Sequence, residues 1–320
     1  MSRAHYAHPQ SLRAHLLLIS VVFVWGSTFI LVKTALLNIS PLLFNLIRMA
    51  LAFVILAIVY RRHLRQIRLP VLAAGSIVGL TLAMGYQFQT VGLHLTTPSK
   101  SAFITGMVVV IVPLLAVIPG LRPPASARPH WNAWLGAFVA FAGIILLTAP
   151  PGQPVSFAAF RQVNLGDVLT LVCALGFALQ VIALAHFSPR FPFEQLALIQ
   201  IGVCTLVMAV TLPFFEHPYV HWNTTVIAAL AITSVLATAL AFTVLSYAQR
   251  ILPATHTALI LALEPVFAWL VAFLFLGQTL QGRSLAGALL VLAGIALTEL
   301  ISQPMQPAEP ESTSISEQSL

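Results

Sequence analysis

The sequence is poor in charged residues and in cysteine. Only 7% of its 320 residues are charged, whereas about a quarter of the residues of a soluble domain usually are. A soluble fold could not cover its surface with so few charges. The two cysteines, Cys173 and Cys204, both lie in apolar segments. This placement indicates small buried side chains and neither a disulfide nor a metal site.

The sequence also lacks the motifs of several enzyme classes. No Gly-rich segment ends in Gly-Lys-Ser/Thr, so the chain does not hydrolyse ATP itself. It has no His-Glu-x-x-His motif, no Gly-x-Ser-x-Gly motif and no pair of aspartates within an apolar segment. The formal charge of +7 does not indicate nucleic-acid binding, because the basic residues flank apolar segments. We expect no cofactor, metal or nucleic-acid partner.

Long apolar stretches make up most of the chain, of which 59% is hydrophobic. A helix of about 20 apolar residues crosses the hydrocarbon layer of a bilayer. The first stretch is no signal peptide, because it lacks a small-x-small cleavage site and further spans follow it. We predict an all-α membrane protein with ten transmembrane helices, over residues 14–33, 41–60, 70–92, 101–119, 131–149, 165–186, 194–215, 224–247, 255–276 and 284–301.

The lysines and arginines predict the orientation of these spans. With a cytoplasmic N-terminus, ten basic residues fall on the cytoplasmic side, four fall on the other side, and Arg48 lies within a span. Basic residues are enriched in cytoplasmic loops. We therefore expect both termini and the loops Arg61–Pro70 and Leu121–His130 to be cytoplasmic, which an even number of spans allows.

A repeat of about 150 residues runs through the chain. Leu135–Leu147 (LGAFVAFAGIILL) and Ala286–Thr298 (AGALLVLAGIALT) are identical at six of thirteen positions, at an offset of 151. Two further pairs recur at nearly this offset, namely Gly26 with Gly176 and Pro113 with Pro265. The repeat indicates that the chain contains two copies of one five-helix unit.

The repeat divides the chain into segments. We predict an N-terminal tail over 1–13, five-helix repeats over 14–149 and 165–301, a linker over 150–164 and a disordered C-terminal tail, rich in Pro, Ser and Glu, over 302–320. An odd number of helices inverts the second repeat relative to the first. Inverted repeats are typical of secondary transporters, whose substrate binds between the halves near the membrane midplane.

Three segments are similar to those of a known family: WGSTF in the first span, TTPSKSAFITG at the start of the fourth and ALEPVFAWLVAFLFLGQ in the ninth. From about Leu16 to Leu300 the chain resembles the EamA-type members of the drug/metabolite transporter superfamily. The resemblance implies ten helices in two inverted repeats, a bacterial inner-membrane location and movement, often export, of small metabolites such as amino acids. One departure is Gly277-Gln278, where a Gly-Glu pair is usual.

Glu264 is the strongest candidate for a functional residue. It lies within an apolar span, where a carboxylate is costly and usually faces a cavity or a partner. Pro265 cannot donate a backbone hydrogen bond and clashes with the carbonyl of Leu261, which predicts a bend and a freed carbonyl. We predict that Glu264 meets a substrate ammonium group or a proton. The alternative is a protonated carboxyl that caps the freed carbonyl. Pro113, the repeat mate of Pro265, predicts a similar kink in the fourth span.

Arg48 is a cation within the second span, and Gln200 is its counterpart at an offset of 152. We interpret Arg48 as structural, bonded to backbone carbonyls or extended to the headgroups. The alternative is a contact with a substrate carboxylate or a gate. At span ends, we interpret Lys100 as a lipid anchor and Asp167 as a helix cap. His256 is either a proton-linked group or bonded to a nearby carbonyl.

Polar and aromatic side chains in several spans predict a substrate cavity. Tyr86, Gln89 and Leu93 give the third span a partly polar face, which contact with lipid disfavours. The predicted cavity residues are Trp25, Thr28, Tyr86, Gln89, Gln180, Tyr247, His256, Glu264 and Trp269.

Together these features predict a secondary transporter. It would move a small metabolite, such as an amino acid or related amphipathic solute, by alternating access through a cavity between the repeats, with export as the direction. The alternative is a membrane-embedded enzyme acting on a lipid or prenyl substrate, which would need a cluster of carboxylates or histidines. The partners are then a small molecule and the bilayer. A homo-oligomer is left open, because the small-residue faces of spans five and ten fit another helix of the same chain or a second protomer.

Overall fold

The structure is a computed structural model that describes residues 9–64, 66–122, 131–148, 164–252, 257, 260–261, 263–277, 279 and 282–300. Within these residues the regular elements are helices, apart from one isolated β-bridge between Ile39 and Val220. We number the helices by span: α1 (Pro9–Ala35), α2 (Pro41–Val59), α3 (Leu69–Leu95), α4a (Pro98–Thr105), α4b (Val108–Leu115), α5 (Trp131–Thr148), α6 (Leu165–Phe187), α7 (Phe193–Phe215), α8a (Thr224–Ser234), α8b (Ala241–Ala248), α9 (Glu264–Leu276) and α10 (Gly282–Leu300). A helical turn, Arg61–Leu64, follows α2, and a π-helix, Val235–Leu240, joins α8a to α8b.

The all-α architecture predicted from the sequence is confirmed. Seven of the described helical spans are long and apolar enough to cross a membrane, and three shorter apolar helices lie in α5, α9 and α10. The predicted tails lie outside the described residues except for 9–13, and so does the predicted linker except for Asn164.

Polar contacts identify which helix ends lie together. Lys33 at the end of α1 donates from Nζ to the carbonyl oxygens of Leu93 (2.9 Å) and His94 (2.7 Å) at the end of α3. Asn164, just before α6, donates to the carbonyl oxygen of Leu95 at 2.8 Å. We call this side of the bundle the Ala35 end, after the last residue of α1. The side at which α2 ends and α3 begins is the opposite end.

Small residues let α5 and α10 pack closely. A Cβ atom on Gly143 would lie 2.6 Å from the carbonyl oxygen of Gly287, and one on Gly294 would lie 2.5 Å from the backbone nitrogen of Ala140. The two small-residue faces therefore meet within the chain.

Spans four and nine are interrupted near the centre of the bundle. Pro113 lies inside α4b, and the kink predicted there stays a prediction. Span four breaks instead at Gly106–Met107. The physical reason is packing, because a Cβ atom on Gly106 would lie 3.2 Å from Cγ of Pro265. In span nine, α9 begins at Glu264, and Gly26 of α1 packs against its first turn. The start of α9 is therefore held against both α1 and α4a.

Candidate substrate cavity

A cavity lies where the interrupted spans meet. It contains about 780 Å³ of space free of protein atoms, including the part open to the outside. Its walls come from spans one to four of the first repeat and from spans six, eight and nine of the second. The polar lining residues are Thr28, Arg48, Tyr86, Gln89, Thr90, Thr105, Gln180 and Glu264.

Glu264 brings a carboxylate to the cavity wall. The residue is buried, with 9% of its surface exposed. Within the described part of the chain, no group donates a hydrogen bond to its carboxylate and no cation lies within 4 Å. A buried carboxylate without such a partner is costly in a low-dielectric environment. An ammonium group or a proton from outside the protein would remove that cost.

Arg48 brings a guanidinium group to the same cavity and is held in place by three groups. Its Nε donates to Oγ1 of Thr238 at 2.7 Å, and one terminal nitrogen donates to the Tyr86 hydroxyl (3.1 Å) and to the Ala237 carbonyl oxygen (3.2 Å). The guanidinium carbon also lies 4.6 Å from the centre of the Tyr86 ring. The expected backbone contact is present, and the extension to the headgroups is wrong. The other terminal nitrogen forms no hydrogen bond within the described residues.

The π-helix of span eight accepts hydrogen bonds from the opposite repeat. Trp25 donates from Nε1 to the Ala237 carbonyl oxygen at 2.8 Å, and Arg48 donates to the same oxygen. A π-helix shifts the backbone hydrogen-bond pattern and often occurs at functional sites. The Ala237 carbonyl thus links α1, α2 and span eight beside the cavity.

A chain of hydrogen bonds leads from the cavity into the second repeat. Gln180 donates to Oε1 of Gln200 at 3.2 Å, and Gln200 donates to Oγ of Ser246 at 3.1 Å. All three residues are buried. Gln200 is the repeat counterpart of Arg48. Its amide forms these hydrogen bonds within the second repeat, whereas Arg48 of the first repeat donates to Thr238 and Ala237 of the second. The polar lining of the cavity is asymmetric for this reason.

The structure brings together six of the nine predicted cavity residues: Trp25, Thr28, Tyr86, Gln89, Gln180 and Glu264. Tyr247 instead packs against Phe193, with ring centres 5.6 Å apart. Trp269 packs against Phe273 at 6.0 Å, and its Nε1 has no partner within the described residues. The structure does not support these two assignments to the cavity. Tyr247 lies five positions after the lining residue Phe242, and Trp269 lies five positions after Glu264, so each is on another face of its helix. His256 and Gln278 lie outside the described residues.

The sequence analysis missed the aromatic walls of the cavity. Phe29, Phe177 and Phe242 line it together with Trp25. The signal was present in the spacing, because Phe29 follows Trp25 by four residues and Phe177 precedes Gln180 by three. Such neighbours share a helix face.

The polar residues at the Ala35 end bind each other across the repeats. The Lys100 ammonium lies 3.5 Å from Oδ2 of Asp167, and the Thr96 hydroxyl donates to the same carboxylate. The interpretation of Lys100 as a lipid anchor is therefore wrong. Asp167 is not the helix cap either, because the Asn164 side chain accepts from the backbone N–H of Gly166 at 2.7 Å.

The titratable groups of the described residues do not form a metal site: no group of three or more His, Cys, Asp or Glu side chains occurs among them. Cys173 and Cys204 are buried free thiols.

The sequence profile of the EamA-like transporter family matches residues 12–149 and 164–300. The chain belongs to the EamA-like transporter family.

Relatives support this assignment. An "Uncharacterized transporter" of Archaeoglobus fulgidus is 31% identical over 294 residues, which cover 90% of this chain and 86% of the relative. The "Uncharacterized transporter YdfC" of Bacillus subtilis is 22% identical over 283 residues, covering 88% and 89%. A solved crystal structure, 19% identical, matches with a TM-score of 0.65 over 90% of this chain and 97% of its own. At this identity the match shows the fold alone.

The EamA-like family fixes the coarse function. The chain is a multi-pass membrane transporter, and the predicted arrangement of ten helices in two repeats is confirmed. The alternative of an enzyme acting on lipid or prenyl substrates is wrong, because the family and the curated relatives are transporters.

Proposed function

We propose that this EamA-like transporter exports a small amphipathic metabolite that carries an ammonium and a carboxylate group, such as an amino acid. The observation that carries the proposal is a cavity built from both repeats, with the carboxylate of Glu264 and the guanidinium of Arg48 on its walls. Glu264 is available for the ammonium group. The terminal nitrogen of Arg48 that has no partner within the described residues is available for the carboxylate.

The rest of the cavity favours a partly apolar solute. Trp25, Phe177 and Phe242 supply aromatic surface, which binds the apolar part of a ligand and stabilises a nearby cation. Thr28 and Gln89 add polar groups that orient a ligand. An ionic solute without an apolar part would make no apolar contact with these aromatic side chains.

Alternating access is the mechanism we propose. Inverted repeats place the substrate site between two halves that exchange conformations, and here both interrupted helices lie at that site. Val32 and Leu93 line the cavity close to the ends of α1 and α3, so the cavity extends toward the Ala35 end. With cytoplasmic termini in a bacterial inner membrane, as the basic residues and the family suggest, the Ala35 end faces outward.

Transport assays on purified protein in liposomes test the function. We would offer radiolabelled amino acids, nucleosides and amines, with no ATP and with a gradient of substrate or protons. The expected result is uptake or exchange of an amphipathic amino acid driven by the gradient alone. Strict dependence on ATP and a partner subunit, or transport of nucleosides but not of amino acids, would overturn the proposal.

A further inference from the structure

A second groove lies at the opposite end of the bundle, between the segment before α3 and the start of α7. It contains about 1210 Å³ free of protein atoms, including the part open to the outside. Its walls combine polar and apolar side chains, among them Gln66, Ile67, Arg68, Phe191 and Gln195. The groove therefore joins the two repeats at a helix end, where a bilayer has its headgroups.

The surface around this groove is strongly basic. Arg61, Arg62 and Arg68 are exposed, and no acidic side chain forms an ion pair with them within the described residues. Arg65 adds a fourth arginine to this stretch of the sequence. Four basic residues next to a membrane helix favour contact with anionic lipid.

The inverted repeats show what occupies the matching place at the Ala35 end. There, the Glu216 carboxylate accepts from the backbone N–H groups of Leu42 (2.9 Å) and Leu43 (3.0 Å) at the start of α2. Position 65 corresponds to Glu216 at the repeat offset of 151, and an arginine stands there. In the sequence, the acidic residue that binds the first turn of α2 therefore has a basic residue as its repeat counterpart.

The two ends also differ in how firmly the repeats are joined. At the Ala35 end, Ser40 donates its backbone N–H to the Tyr219 carbonyl oxygen (3.0 Å), and His221 donates to that of Asn38 (2.7 Å). At the opposite end, the described loops share one hydrogen bond, from Gln195 to the carbonyl oxygen of His63 at 3.2 Å. A bridging anion at the groove would supply the missing connection.

We propose that this groove binds the phosphate headgroup of an anionic phospholipid, held by Arg68 in its wall and by the exposed Arg61 and Arg62 of the helical turn that contacts Gln195, so that the lipid bridges the repeats. A lipid fits better than free phosphate, because Ile67, Pro70 and Phe191 provide apolar surface beside the charge for the glycerol and the first acyl carbons. The proposal is independent of the substrate that the cavity carries.

Native mass spectrometry of the purified full-length protein tests this site. The protein is exchanged into micelles containing phosphatidylglycerol or phosphatidylcholine, and the retained lipid is counted. We expect retained phosphatidylglycerol and little phosphatidylcholine. Arg68→Gln should lower the retention of phosphatidylglycerol by about five-fold, the contribution of one arginine near an anionic surface. Arg13→Gln, an exposed arginine in α1 outside the groove, should retain it like the wild type.

Two further measurements keep the test decisive. The double variant Arg61→Gln/Arg62→Gln replaces exposed arginines of the same surface and should also lower the retention of phosphatidylglycerol. It serves as the test if Arg68→Gln does not fold. Inorganic phosphate should not raise the thermal midpoint, whereas phosphatidylglycerol should. Equal retention of both lipids, equal retention by Arg68→Gln and Arg13→Gln in folded protein, or protection by phosphate alone would overturn the proposal.

Discussion

Trp25 of the first repeat and Ala237 of the second are joined by a hydrogen bond of 2.8 Å, from the indole N–H to the backbone carbonyl oxygen. The acceptor lies in a π-helix, and Arg48 donates to the same oxygen at 3.2 Å. A single carbonyl thus links two helices of one repeat to the other repeat at the wall of the cavity. The alternating access proposed above would change these contacts.

We expect Trp25→Phe to slow transport by about five-fold, because it keeps an aromatic ring but removes a hydrogen bond worth about 1 kcal/mol. Initial rates in proteoliposomes measure the effect. Trp222→Phe is the control, since Trp222 is 60% exposed and does not line the cavity. Equal rates for Trp25→Phe and the wild type would show that the link to Ala237 has no part in transport.

Glu264→Gln should reduce transport at least several-fold at normal abundance in the membrane. The amide keeps the size and the hydrogen-bonding capacity of the side chain but removes the charge that we assign to a substrate ammonium. Glu194→Gln in the first turn of α7, away from the cavity, is the matched control. Transport equal to wild type, or loss of the protein from the membrane, would favour a structural role for Glu264.

Arg48→Lys tests the proposed contact with a carboxylate. Lysine keeps a positive charge at the buried position, so the partners of Arg48 still face a cation. It lacks the planar guanidinium group that bonds to Thr238 and Tyr86. We expect the KM for an amino acid to rise about ten-fold, and the KM for the corresponding amine without a carboxylate to change by less than about two-fold. The same loss for both substrates would leave Arg48 with a purely structural role.

The sequence predicted the spans well because burial in a bilayer requires long apolar segments. It did not predict the interruption of span four at Gly106, which packs against Pro265 of the other repeat. That contact depends on tertiary structure. The π-helix over Val235–Leu240 was not predicted either, because no local sequence pattern indicates it.

The residues of the candidate site could be predicted only in part from the sequence. Glu264 could be found because a carboxylate is rare in an apolar span, and it lines the cavity. Trp269 could have been rejected, because five residues of helix turn its side chain well away from the face of Glu264. The role of Arg48 depended on partners in another repeat, which hydropathy does not show.

Gly294→Val should destabilise the protein by about 1–3 kcal/mol, the usual range for an overpacked contact. A Cβ atom there would lie 2.5 Å from both the Ala140 nitrogen and the Gly136 carbonyl oxygen, and backbone atoms cannot move aside easily. The thermal midpoint in detergent measures the loss. Gly120→Val is the control, since no atom lies within 4 Å of a Cβ atom at Gly120. Similar midpoints for both variants would mean that α5 and α10 do not pack as described.

The last prediction concerns orientation in the membrane. The arginines near the opposite end and the positive-inside rule predict a cytoplasmic location for that end. We therefore expect a cysteine at Arg62 to be hidden in intact cells and one at His217, an exposed residue near the Ala35 end, to be accessible. We would label R62C and H217C with a membrane-impermeant thiol reagent before and after permeabilisation. Cys173 and Cys204 are buried and should give little background. Labelling of R62C in intact cells, with H217C labelled only after permeabilisation, would invert the proposed topology, and with it the outward-facing assignment of the Ala35 end.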